Sequence, residues 1–99
     1  MVKRLMITWE DIPLVADRSL QESLRSVDSG KLALALYGAD EDIVQKIRSN
    51  ISDRAVSMLD EEISLMQEPI EKEVLVAREE VIEPLRQAND EGKLRLTRR

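Results

Sequence analysis

The stretch that decides the fold is "KLALALYGADED", residues 31–42. By period alone its alternating Leu and Ala would suit a strand. No β-branched residue occurs between Lys31 and Ala39, however, and Ala and Leu are the strongest helix formers. The stretch therefore predicts a helix that is apolar nearly all round, and such a helix must be central because every side of it needs cover. Gly38 stands where a left-handed residue would close it, and Asp40, Glu41 and Asp42 supply the cap and first-turn acids of the next helix.

Working outward from this centre, "SVDSG" breaks the chain just before it, and Asp28 or Ser29 can cap the central helix. The preceding helix is expected to start at Asp17 as cap, with Leu20, Leu24 and Val27 at i, i+4 and i+7. Before that, "TWEDI" pairs an N-cap Thr8 with Asp11 three residues on, an acidic variant of the capping box. Pro13 and the charged "ADR" hold this opening helix to one or two turns. On the other side, Ile43, Ile47 and Ile51 form an apolar row with Lys46 and Arg48 toward the negative end of their helix, and Ser52 can cap the one after it. Pro69 ends that helix. A last helix follows over residues 70–89, with Val74, Ala77, Val81, Leu85 and Ala88 on one stripe and Gly92 as its stop. Pro84 inside it removes one backbone bond and predicts a kink, a cost of about 3 kcal/mol unless packing uses the bend. The expectation is an all-α, single compact domain of about six helices, short hairpins packed on the central Ala/Leu helix. A chain of 99 residues can bury one modest core.

The helix over residues 53–66 carries the most information about contacts. Ala55, Val56, Leu59, Ile63 and Met66 fall within an arc of about 100°, a core stripe. The opposite face is not uniformly polar: Arg54, Met58, Glu61 and Leu65 share it, with Glu62 beside them. Met and Arg next to apolar surface suit a partner contact, while Met58 and Leu65 equally suit packing under a neighbouring loop.

Composition excludes several classes of function. Without Cys or His there is neither a disulfide nor a thiolate site, and the commonest metal ligand and proton shuttle is absent. The three glycines are isolated helix punctuation, so no phosphate loop is present. Asp60, Glu61 and Glu62 point in different directions, and pairs that do converge, Asp60 with Ser64 or Glu79 with Glu83, have nothing to desolvate them. The chain is not expected to be an enzyme, and no cofactor or metal is implied. A net charge of −5 argues against nucleic acid, and no apolar run approaches the ~20 residues of a membrane span or resembles a signal peptide. Residues 60–91 hold eleven acids against Lys72, Arg78 and Arg86, whereas the closing "GKLRLTRR" is basic. That contrast reads as a solvated helix face with a frayed tail, or as a binding tail.

The order "TWEDI", "DRS", "VDS", "LALALYGA", "SNIS" followed by "DRA", and "EGKL" resembles the C-terminal domain of the FliG family of bacterial flagellar motor switch proteins. The likeness extends over residues 5–94. It implies a cytoplasmic, rotor-side domain at the inner face of the membrane that receives torque from the stator protein MotA, touches FliM, takes part in direction switching and, within a longer chain, adjoins other FliG-type subunits in a ring. It also implies a hinge at the family's Met-Phe-x-Phe motif, which here reads "MITW": Met6 is kept, Ile7 and Trp9 replace the two phenylalanines, and Thr8 stands between them. On this reading residues 1–9 are a hinge or linker remnant and residues 10–99 the helical domain. By the same resemblance Arg54, Glu61 and Glu62 match the charged residues to which torque is attributed. Two positions depart from the family: Tyr37 stands where lysine is usual, and Glu71 where an arginine is expected. Those departures motivate a second reading, a stand-alone FliG-like adaptor or regulator that binds a non-stator partner. An upstream reading frame continuous with Val2 would favour the motor subunit, and a genuine start at Met1 the adaptor.

Overall fold

The computed structural model describes residues 7–96. A 3-10 helix, Trp9–Leu14, opens the chain and is followed by five α-helices: α1 (Asp17–Leu24), α2 (Ser29–Ala35), α3 (Glu41–Arg48), α4 (Asp53–Leu65) and α5 (Glu71–Asp90). Among the described residues there is no strand beyond an isolated bridge between Val15 and Leu96.

Capping chemistry sets the boundaries. The Asp11 carboxylate accepts from the Thr8 backbone N–H at 3.0 Å and from its hydroxyl at 3.1 Å, which fixes the entry to the 3-10 helix. Asp28 accepts from the amides of Gly30 and Lys31 at the head of α2, and Ser52 from the amide of Ala55 at the head of α4. Gly38, at φ +67°, reverses the chain after α2. Gly92, at φ +76°, does the same after α5, where the N–H groups of Lys93 and Gly92 reach back to the carbonyls of Ala88 and Asn89 in a Schellman closure. The expected cap at Asp17 is not made. Ala16 takes the N-cap position of α1, and Asp17, one residue inside, turns its carboxylate to Lys46 of α3 at 2.9 Å.

Helix α2 is the centre, as its composition requires. Leu32, Ala33, Ala35 and Leu36 are buried, and α5 and α4 pack on it from two sides. From α5, Val74, Ala77, Val81, Ile82 and Leu85 are buried, with Ala88 only partly so. Ile82 was outside the expected stripe; the 3-10 helix and α1 both pack on α5, so this helix is covered over a wider arc than one neighbour needs. It runs as one helix through Pro84.

Two arginines of α5 are turned inward instead of into the solvated acidic face. Arg78 donates from Nε to the carbonyl of Ala35 at 2.9 Å and from Nη2 to that of Tyr37 at 2.8 Å. Its guanidinium also lies 5.2 Å from the centre of the Trp9 ring. Arg86 donates from Nε to the carbonyl of Ile7 at 2.9 Å and pairs with Glu79 at 2.7 Å. Charge-assisted bonds to backbone carbonyls are among the stronger hydrogen bonds available, and those of Arg78 answer the partial negative charge where α2 ends.

The chain closes on itself beyond α5. The Ala16 amide donates to the Arg95 carbonyl at 2.8 Å, the Arg95 amide to the Ser19 hydroxyl at 3.1 Å, and Leu94 packs against the core. The expected fraying therefore does not apply as far as Leu96: Leu94 lies against the core, and Leu96, though exposed, bridges to Val15 through its backbone.

Substituting Arg78→Met removes both carbonyl bonds and the stacked cation while keeping the aliphatic stem. A loss of about 2 kcal/mol in denaturant unfolding is expected, with altered fluorescence of Trp9, the only tryptophan. Stability within 0.5 kcal/mol of the parent, about the spread of neutral surface changes, and unchanged emission would show that the contacts carry no weight. Leu59, the one buried residue of α4, should cost about 3 kcal/mol as Leu59→Ala, whereas Leu65→Ala should be near neutral. Comparable losses in the two variants would contradict the packing described.

Candidate functional site

Helix α4 is held along one edge and bare along the other. Leu59 is fully buried, and Ala55, Val56 and Met66 are half-buried beside it. Next to Leu59, Asp60 accepts two hydrogen bonds from the Arg48 guanidinium, at 2.6 and 3.3 Å, which ties α4 to the end of α3. The Asp60 carboxylate is thereby engaged, and the Ser64 hydroxyl donates to the Glu61 carbonyl, so the pairing of Asp60 with Ser64 contemplated from sequence is not formed.

With that edge pinned, Arg54, Met58, Glu61 and Leu65 face solvent. Met58 is 49% exposed and Leu65 74%, so no loop covers them. Arg54 and Glu61 stand two turns apart, about 10 Å along the axis, too far to pair with each other. Among the described residues no ion pair engages either of them. Glu62 leans the other way: its Oε1 lies 3.6 Å from where a Cβ on Gly30 would stand, over the first turn of α2. The absence of a side chain at Gly30 gives it that room.

Ile63 corrects the expected core stripe, being 44% exposed. It lines a cleft of about 260 Å³ with Ala33, Leu36, Tyr37, Gly38 and Met66. The cleft opens where α4 passes the end of α2; the chain turns away at Gly38, and no element among the described residues closes over Ile63. Tyr37 forms one wall, 44% exposed, beside Ile63 and Met66, with its hydroxyl outside the internal hydrogen-bond network of the described residues. Glu71 stands elsewhere. It heads α5 in a different depression, with Lys72, Leu75, Val76 and Glu79. Of the expected contact residues, Arg54, Met58, Glu61 and Leu65 thus share one face and Glu62 lies beside it, whereas Tyr37 stands against the Ile63 and Met66 side of α4 and Glu71 lies at the head of α5.

Of the residues expected to form the hinge, Met6 lies outside the described residues. Ile7 and Trp9 are buried, at 5% and 9% exposure, and Thr8 is exposed. Both buried side chains join the main core; from α5, Arg86 binds the Ile7 carbonyl and Arg78 lies over the Trp9 ring.

One buried polar residue, Asn50, carries no motif in the sequence. Asn50, 6% exposed, donates to the Lys46 carbonyl at 2.8 Å and to Asp17 at 3.2 Å, and accepts from Gln21 at 3.0 Å. It links α3 to α1 and makes up part of the wall behind the first turn of α4. The only signal was an Asn next to a helix end, which reads equally as a stop.

A model of the FliG C-terminal domain matches residues 1–96. The chain is 37% identical over 95 residues to the flagellar motor switch protein FliG of Aquifex aeolicus, covering 96% of this chain and 29% of that protein. It is 37% identical over 97 residues to FliG of Thermotoga maritima, covering 98% and 29%. The structure of full-length FliG from Aquifex aeolicus superimposes with a TM-score of 0.79 at 38% identity, over 87% of this chain and 27% of that one. The chain spans less than a third of the length of these relatives.

Both carboxylates that position the helices are held below the usual carboxylate range. For Asp60 the cause is the hydrogen bond from Arg48; for Asp17 it is the bond from Lys46, then that from Asn50. The unfolded chain takes up protons at these sites first as pH falls. Their stabilisation is therefore complete above an ordinary carboxyl pKa, about 4, and is lost as pH drops through the lower folded-state values. The variant Asp60→Asn/Asp17→Asn should melt with a shallower fall in Tm from roughly pH 5 to 2 than the parent. Parallel curves for the two proteins would remove these pairs from the acid response.

Proposed function

We propose, from the premise that the chain belongs to the FliG C-terminal domain family, that it is a rotor-side module of the flagellar motor switch that receives force through the outward face of α4. The observation that carries the reading is the exposure of Arg54, Met58, Glu61 and Leu65 on one face of a helix whose opposite edge is fixed by Leu59 and by the Asp60 pair with Arg48. A face that must transmit force needs a backing that does not yield, and this helix has one. The charges of Arg54 and Glu61, two turns apart and in no ion pair among the described residues, suit separate residues of a stator loop of the MotA kind, with Met58 and Leu65 as apolar contact between them. Exposed ion pairs are worth only about 0 to 1 kcal/mol, which suits contacts made and released as a rotor passes.

The module is a binding and force-bearing element and not an enzyme. It acts in the cytoplasm at the base of the flagellum, next to FliM and, within a longer chain, to further FliG-type subunits. No helix among the described residues is long and apolar enough to cross a membrane. Residues 7–9 serve as the inner end of a hinge, anchored to α5 by Arg78 and Arg86. The adaptor reading draws on one observation: Tyr37 and Glu71 present no positive charge where the family is expected to have one.

Charge reversal tests the proposal. Arg54→Glu in the motor should lower swimming torque severalfold, and reversal of the facing acid on the stator loop should restore it. Normal rotation in the single and double variants alike would remove the α4 face from torque transfer. Failure of the purified domain to capture either MotA or FliM would favour the adaptor.

A further inference from the structure

Two features stand at opposite ends of α4. At its head, a cleft of about 560 Å³ opens between the ends of α1 and α3 and the first turn of α4. Leu24, Val27, Ile51 and Ala55 give it an aliphatic wall, and Arg25 is the one charged residue that lines it. Beyond the far end of α4, the link to α5 carries Ile70, 63% exposed, directly after Pro69. The proline ring restricts the backbone there, so the isoleucine is held out at little further entropic cost on contact.

The two ends carry opposite charge. Arg25 makes no ion pair among the described residues, and Arg18 stands two turns before it on the same side of α1. Of the acids nearby, Asp17 is bonded to Lys46 and Asp28 to the amides of α2, and Glu22 lines a different depression with Ser26 and Pro84. Asp53, at the head of α4, is followed by Arg54. The cleft end is therefore net positive although the chain carries −5. Around Ile70, by contrast, Glu68, Glu71 and Glu73 outnumber Lys72, and none of the four is in an ion pair among the described residues. An aliphatic side chain flanked by carboxylates suits the cleft on both counts. It offers apolar contact to the wall and an acceptor to Arg25 and to the hydroxyl of Ser52.

We propose that Ile70 of one copy of this chain enters the cleft of a second copy, with Glu68 and Glu71 beside its Arg25. The 13 residues of α4 separate the two features by about 20 Å of helix, so a chain does not fill its own cleft. The contact is therefore head to tail, and the association continues past a dimer unless its rotation closes a ring. One side chain and its neighbours bury less than the roughly 1,200 Å² of a stable complex, so the contact is weak and reversible. It uses none of Arg54, Met58, Glu61 and Leu65, and it stands or falls independently of force entering through α4.

Two variants that break opposite ends test it. Arg25→Glu spoils the cleft and keeps the tip, whereas Ile70→Ser removes the tip, puts a favourable capping residue at the head of α5 and keeps the cleft. The parent chain should sediment faster as its concentration rises into the millimolar range, and each variant should stay monomeric with the melting curve of the parent. Should either melt early, Arg25→Gln or Ile70→Asn takes its place under the same criteria. Mixed together, the two variants should pair once, through the intact tip of the first and the intact cleft of the second, and go no further. With the Arg25→Glu chain isotopically labelled, NMR shifts in the mixture should fall at residues 68–71; with the Ile70→Ser chain labelled, at Leu24, Val27, Ile51 and Ala55. A parent that stays monomeric, self-association of either variant alone, a mixture without shifts, or shifts at both ends of one labelled chain would each overturn the proposal.

Discussion

Arg78 joins three parts of the molecule at one point. Its guanidinium takes the carbonyls of Ala35 and Tyr37 where α2 ends and lies against Trp9, while its stem rises from the middle of α5. The central helix, the long outer helix and the entering chain are therefore fixed relative to one another by one cation. Without aromatic mass to fill corners, since the chain has one Trp, one Tyr and no Phe, a domain this small depends on such directed bonds to set angles that packing alone would leave loose. Arg86 repeats the device about two turns further along α5, on the carbonyl of Ile7.

The same logic appears at α4. One buried side chain, Leu59, and one exposed but bidentate ion pair, Asp60 with Arg48, hold a helix of 13 residues. Behind α3, Asn50 joins Asp17, Gln21 and the Lys46 carbonyl. The outward residues are thus supported through polar links that run from α4 to α3 and from α3 to α1. That is a way to stiffen a surface with polar links, and it leaves Met58 and Leu65 exposed beyond them.

Local chemistry made most of the fold legible from sequence. A helix that is apolar all round, Asp28 and Ser52 as caps, and Gly38 and Gly92 at left-handed positions each specify backbone geometry within a few residues. Periodicity also separated the two faces of α4, because Met58 and Leu65 lie opposite Leu59. It failed at Ile63, where burial depends on whether a neighbour is long enough to reach, and α2 stops short. It failed again at Asp17: a carboxylate near a helix start satisfies either the local amides or a distant lysine, and only the fold brings Lys46 within reach. Arg78 and Arg86 read as two cations on an acidic face, and nothing local to α5 says that carbonyls from residues 41 to 79 positions away are waiting for them.

The central claim is that the outward face of α4 is where force enters. The most direct measurement places a photo-crosslinking residue at Met58, at Leu65 and, as reference, at the exposed Glu22 of α1, with the stator loop present. The account predicts adducts to the stator from positions 58 and 65 and none from 22. Adducts of equal yield from all three, or none from the two on α4, would contradict it.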